Sequence, residues 1–194
     1  MMDIVIPYGN EEEFITMAER LGYTGLCFLY NFDDYQDKKF EKNKKIKIYT
    51  GILADSRNIN KINKLKNKKV FVAIKSSNKD REIIDRLKVD MIFSFEDAVR
   101  RDFIHQRASS LNHVLCRAAK EKNVIIGFSL SSILNAGNKS VVLGRMSQNI
   151  KLCRKFKVKT VIASFAQKPF DMRSSHDMIS LFKSLGSENP TFLK

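Results

Sequence analysis

The sequence predicts one α/β domain built on parallel strands, and three observations carry that expectation. The 194 residues fit a single domain over 1–194 and are enough to bury roughly 70% of the unfolded surface. Seven short runs rich in β-branched residues alternate with helical patterns. Several of those runs are apolar at nearly every position, as strands covered on both faces are.

In chain order the strand runs are 3–6 (DIVI), 24–30 (TGLCFLY), 45–54 (KIKIYTGILA), 70–75 (VFVAIK), 91–95 (MIFSF), 124–130 (VIIGFSL) and 160–165 (TVIASF). Between them, residues 11–21 place Phe14, Met17, Ala18 and Leu21 on one helical face, and 109–122 does the same with Leu111, Val114, Leu115, Ala118 and Ala119. Residues 140–157 turn Val142, Met146, Ile150, Cys153 and Phe156 inward, leaving Arg145, Lys151, Arg154, Lys155 and Lys157 on the other side. Gly22 and Asn123 stand where helix C-caps belong. Strands joined by helical crossovers wind one way. An incomplete barrel and an open doubly wound sheet both satisfy the pattern. No repeat or linker divides the chain. The Lys-rich stretch 36–47 reads as a surface loop, and 187–194 as a short tail.

Charge narrows the function. The formal net charge is +14, a field that attracts polyanions. Residues 1–37 nonetheless hold eight acids and one base, Arg20, whereas 38–69 hold twelve bases against Glu41 and Asp55. A compositional bias towards Lys, Asn and Ile explains part of the surplus but not the missing acids in 38–69. No apolar run approaches the roughly 20 residues that cross a bilayer, and the N-terminus is acidic rather than signal-like. A soluble, cytoplasmic protein is expected.

Motifs for chemistry are scarce. There is no GxGxxG, GxxxxGK[ST], HExxH, CxxC or GxSxG. Cys27, Cys116 and Cys153 read as reduced core residues. His105, His113 and His176 are scattered and fit helix-surface, capping or solvated roles. Asp33–Asp34 and Glu96–Asp97 follow strands, where barrel active sites form, yet adjacent acids in loops more often serve as solvated turn residues or caps.

Residues 113–186 become specific as an ordered set. A helix reading H-V-L-x-x-x-A-x-E-x-N runs into a strand V-x-I-G-F. A Gly/Asn/Lys turn follows, then a helix R-x-x-x-N-x-x-L-C-R-K-F and a strand V-I-A-S. Last come P-x-D-x-R-S-x-x-D and a helix ending in L-G. This order resembles the ribonuclease P protein component 3 family; Asp3 in the first strand and G-Y-T-G-L after the first helix agree more loosely. After Gly186 only SENPTFLK remains of the family's usual C-terminal continuation.

The resemblance implies a seven-stranded, TIM-barrel-like fold related to PHP phosphoesterases, and so favours the barrel. It implies a subunit of the ribonucleoprotein that removes 5′ leaders from precursor tRNA. In that particle the ribonuclease P RNA hydrolyses the phosphodiester with magnesium, while this chain binds RNA and protein component 2. The polypeptide alone is expected to be inactive and to bind no cofactor. A catalytic PHP barrel opens with a D-x-H-x-H-type motif that holds metals; here Asp3 stands without either His.

Arginine grips phosphate bidentately and stacks on bases. The RNA contacts expected are therefore Arg57, Arg107, Arg117, Arg145, Arg154, Lys155, Lys168 and Arg173. In PFDMRSS, Ser174 or Ser175 can cap the following helix. Asp171 and Arg173 there are equally an RNA contact or an internal turn-bracing pair. The alternative functions are a PHP-like metal-dependent phosphoesterase and a sugar-phosphate barrel enzyme.

Overall fold

The computed structural model describes residues 1–35, 45–55, 70–97, 101–105 and 107–193. Seven strands lie where the apolar runs fall: β1 (Met2–Val5), β2 (Gly25–Asn31), β3 (Lys47–Ala54), β4 (Phe71–Lys75), β5 (Met91–Phe93), β6 (Ile125–Ser129) and β7 (Thr160–Ala163). They pair in parallel in strict sequence order. A doubly wound sheet would reverse its order at a switch point, so this is the barrel solution. Six helices accompany them among the described residues: α1 (Glu11–Arg20), α2 (Asp80–Arg86), α3 (His113–Glu121), α4 (Leu130–Leu134), α5 (Lys139–Phe156) and α6 (Ser175–Ser184). Gly22 and Asn123 follow α1 and α3 in the left-handed region, at φ 75° and 56°. Lys157 ends α5 the same way.

Period-two alternation divides the apolar residues between two cores. Inward residues such as Ile4, Leu29, Ala73, Met91 and Ala163 fill the barrel. Outward residues such as Val5, Phe28, Val72, Ile92 and Ile162 meet the helices. Phe93 and Phe165 stack in the interior, with ring centroids 4.0 Å apart. Gly127 makes room there, since a Cβ would stand 2.8 Å from that of Phe93.

The barrel closes between β1 and β7. Phe165 N–H donates to Ile4 O and Ile6 N–H to Ala166 O, both at 2.8 Å. Ser164 N–H donates to Asp3 Oδ1 at 2.7 Å. Asp3 is fully buried, and burial lifts its pKa to about 6. The last residues fill the rest of the seam. Ile162 N–H donates to Thr191 O, Leu193 bridges Met2 in antiparallel fashion, and Phe192 packs edge-on against Tyr23 at 5.9 Å. The expected short tail is thus a wedge in the wall.

Arg57 and residues 36–44 of the Lys-rich stretch lie outside the described residues. Beside them, Lys45 pairs with Glu19 at 3.7 Å.

If the wedge holds the seam, Phe192→Ala destabilises the protein by about 3 kcal/mol, as loss of a buried aromatic does. Thermal melting followed by circular dichroism measures the drop.

Candidate nucleic-acid interface

Every crossover helix runs back from the C-terminal end of the barrel to its N-terminal end, so the C-termini of α3 and α5 arrive side by side. Sequence fills those two ends with bases: Arg117, Lys120 and Lys122 from the first, Lys151, Arg154, Lys155, Lys157 and Lys159 from the second, against Glu121. All eight are exposed. Cationic side chains suit a helix C-terminus, where the backbone carbonyls gather partial negative charge.

Phe156 organises the middle of the patch. The Arg117 guanidinium lies 5.5 Å from its ring centroid and the Lys155 ammonium 5.9 Å. Two cations are thereby held over one ring by its quadrupole. A concave space of about 520 Å³ opens among Arg117, Lys120, Glu121, Lys155, Phe156 and Lys157. Arg154 alone of the eight is in a described ion pair, with Glu188 of the tail at 2.8 Å. Such a surface suits a phosphate backbone: seven of the eight cations lack a described ion pair, and Arg117, Lys120, Lys155 and Lys157 line a shallow hollow.

The expected RNA contacts divide accordingly. Arg117, Lys155 and Arg154 share this face. Arg107 lies elsewhere, in the loop before α3, 3.7 Å from Asp102. Its guanidinium rests against Gly144 where any Cβ would collide with it. Lys168, Asp171, Arg173 and Ser174 lie in the segment that leads from β7 to α6, where the Tyr23 hydroxyl donates to Arg173 O at 2.8 Å.

Arg145 is corrected. Helical spacing puts it among the exposed bases, but its side chain is only 5% exposed. Its Nε donates to Asp102 Oδ1 at 2.8 Å and a terminal nitrogen to Glu96 O at 3.1 Å. The Ala108 amide and this guanidinium together hold the Asp102 carboxyl below its ordinary range. Arg145 therefore ties α5 to the loop after β5.

Arg173 does not pair with Asp171 in a described ion pair. One of its terminal nitrogens donates to the carbonyls of Phe170 and Met172, at 2.8 and 2.7 Å. It braces the turn through backbone while remaining exposed. Ser174 caps α6: its Oγ accepts from Asp177 N–H and donates to the Asp177 carboxylate. The cap thereby takes up one free N–H at the start of α6.

The candidate acids at the barrel mouth differ in their surroundings, and Asp33 is exposed. Asp34 accepts from the Asn31 amide in the turn after β2, and Asp97 pairs with Lys75 at 2.7 Å. Glu96 is fully buried, and neither of its oxygens completes a hydrogen bond. Burial pushes its pKa up to about 8, and the nearby Asn149 amide offsets only part of that rise. Among the described residues no three His, Cys, Asp or Glu side chains are grouped to hold a metal ion. Cys116 and Cys153, distant in sequence, meet where α3 crosses α5, and both are buried free thiols.

Residues 1–191 match the family described as RNase P subunit p30. The chain belongs to that family. Among p30 relatives, the chain is 25% identical to ribonuclease P protein component 3 of Methanosarcina acetivorans, an alignment covering 97% of this chain and 81% of that protein. It is also 25% identical to the Methanocaldococcus jannaschii protein of the same name, over 91% and 79%. The p30 fold recurs in a chain of the cryo-EM structure of archaeal ribonuclease P with mature tRNA, at TM-score 0.77 and 23% identity over 95% and 83% of the two chains. The same barrel appears in histidinol phosphate phosphatase of Lactococcus lactis, solved with zinc, L-histidinol and phosphate, at TM-score 0.66 and 12% identity over 98% and 96%.

Sequence reasoning missed Lys120, Lys122, Lys151, Lys157 and Lys159 as members of the patch because it ranked arginine above lysine. The signal was present as two Lys-rich helix ends, each directly before a strand.

Glu96 gives a pH test. Its pKa in the folded protein lies above its ordinary value of 4.5. The folded state therefore keeps a proton that the unfolded state releases, and stability falls as pH rises from about 4.5 through 8. Glu96→Gln removes that loss. Its melting temperature should exceed that of the wild type by several degrees near pH 8, with the gap closing by pH 5; calorimetric melting across this range measures it.

Proposed function

We propose that this chain is a protein subunit of ribonuclease P, the ribonucleoprotein that removes 5′ leaders from precursor tRNAs, and that it works by holding RNA through the α3–α5 end. The observation that carries this reading is the patch itself: seven exposed cations without a described ion pair, two of them fixed over Phe156. Each can replace a condensed counterion on a phosphate backbone, so that binding releases those counterions to solution. In this reading the RNA supplies the catalysis with its own magnesium, and the polypeptide binds no metal and cleaves nothing alone. Protein component 2 is its expected partner within the particle. The cytoplasm is its expected compartment; among the described residues no helix is long and apolar enough to cross a membrane.

The phosphoesterase alternative is not favoured. It asks the mouth for clustered metal ligands; among the described residues no three His, Cys, Asp or Glu side chains are grouped to hold a metal ion, Glu96 is buried with a raised pKa and Asp97 is paired with Lys75.

Affinity for the ribonuclease P RNA should fall steeply with salt, each phosphate contact contributing about −0.7 to −0.9 to the log–log slope. The double variant Arg117→Glu/Lys155→Glu should bind at least about tenfold more weakly at low salt and show a slope shallower by about 2. Filter binding over a salt series reads both. An unchanged slope would remove this face from the RNA interface.

A further inference from the structure

The α3–α5 face carries charge without a platform for bases. Residues 107–193 are described without interruption, which covers both helices, the turns that end them and the tail. Among the described residues the exposed aromatic rings are Tyr8, Tyr49, Phe103 and Phe170, and none belongs to α3, α5 or those turns. Phe156, the ring that does lie there, is half-buried against the helical core. The Arg117 guanidinium and the Lys155 ammonium are already over it, so an unpaired base can stack there only by displacing a cation. The hollow beside it, lined by Arg117, Lys120, Glu121, Lys155, Phe156 and Lys157, offers no Asn, Gln, Ser or Thr side chain to a base edge.

The cations are mounted on a stiff frame. Arg117 and Lys120 project from α3, and Lys151, Arg154 and Lys155 from α5. The two helices meet through the buried thiols of Cys116 and Cys153. Asn112 caps the start of α3 by accepting from the Val114 and Leu115 amides. At the end of α5, Lys157 N–H donates to Arg154 O and Val158 N–H to Cys153 O, at 3.1 and 2.9 Å.

We propose that this face takes double-helical RNA, gripping the phosphates of a duplex segment without reading its sequence. The proposal rests on the chain holding RNA through α3–α5, and it names the form of RNA held there. Proteins that hold single strands join positive charge to open aromatic faces on which successive bases stack, and this face has the first without the second. Counterion release favours the duplex as well. A double helix carries one charge per about 1.7 Å of its axis, against one per about 3.4 Å for a single strand. Seven cations without a described ion pair, the eight less Arg154, therefore meet more phosphates on a duplex. A single strand must also be ordered to match a fixed array, an entropic cost that a preformed helix avoids. The major groove of A-form RNA is too deep and narrow for side chains to read, so contacts go to phosphates and 2′-hydroxyls.

The test measures binding of the full chain by fluorescence anisotropy at low salt. The probes are a blunt RNA duplex of about 16 base pairs, each of its strands alone, chosen to be unstructured, and a second duplex of unrelated sequence. The ribonuclease P RNA is titrated in parallel. The duplex should bind at least about tenfold tighter than either strand, with the two duplexes within about twofold of each other. Arg117→Glu/Lys155→Glu should weaken duplex binding at least about tenfold. A strand that binds as tightly as the duplex overturns the proposal. So do two duplexes whose affinities differ by about tenfold or more, or a double variant, folded by its melting curve, that binds the duplex as the wild type does. Binding of the ribonuclease P RNA with no preference for the duplex overturns this inference and leaves the proposed function standing. No binding of that RNA by the wild type overturns both.

Discussion

Seven parallel strands in sequence order leave β1 and β7 as edges until something joins them, and unpaired edge groups buried under helices carry a heavy penalty. Here Ile4, Ile6, Phe165 and Ala166 join the upper half of the seam through backbone hydrogen bonds. The Asp3 carboxylate takes the Ser164 N–H just below, and Thr191 and Leu193 fill the lower half. Asp3 is held there despite burial that lifts its pKa to about 6. That is the expense of a polar group placed where a strand pair cannot form.

Closure also sorts the charges. In a parallel barrel every helix starts at the C-terminal end of the strands and finishes at the N-terminal end. Helix N-termini favour acids and C-termini favour bases. Acids accordingly open α1, α2 and α6, while bases close α1, α2, α3, α5 and α6. A preference worth a fraction of a kcal/mol per residue is repeated around the described helices. At α3 and α5 the bases exceed what the helix ends require, and this surplus is available to phosphate.

The strands were legible in the sequence because both-face burial makes each run apolar at almost every residue; all seven lie within a residue or two of the expected bounds. Closure was not legible. It depends on Ile4 meeting Phe165 across most of the chain, and local periodicity carries no such information; the ordered resemblance over 113–186 supplied it. Arg145 was misplaced for a related reason. It lies on the flank of the α5 apolar stripe, about 60° from Val142 at about 100° per residue, and a loop 43 residues away delivers the Asp102 that holds it inward. The brace at Arg173 was half legible: a turn role was foreseen, but its partners are carbonyls, which every residue has and no pattern marks. Helix α2 escaped because DREIIDR offers too few apolar residues to show a stripe.

The barrel, shared in fold with a phosphatase, is joined here to a basic face whose surplus cations suit a phosphate backbone. The most direct measurement is precursor-tRNA cleavage by ribonuclease P reconstituted from its RNA and proteins, comparing the wild type with Arg117→Glu/Lys155→Glu. Cleavage should fall in the variant particle and recover partly when the magnesium supplied to the RNA is raised, and the polypeptide without RNA should cleave nothing. Full cleavage by the variant particle, or leader removal by the RNA-free polypeptide, would contradict it.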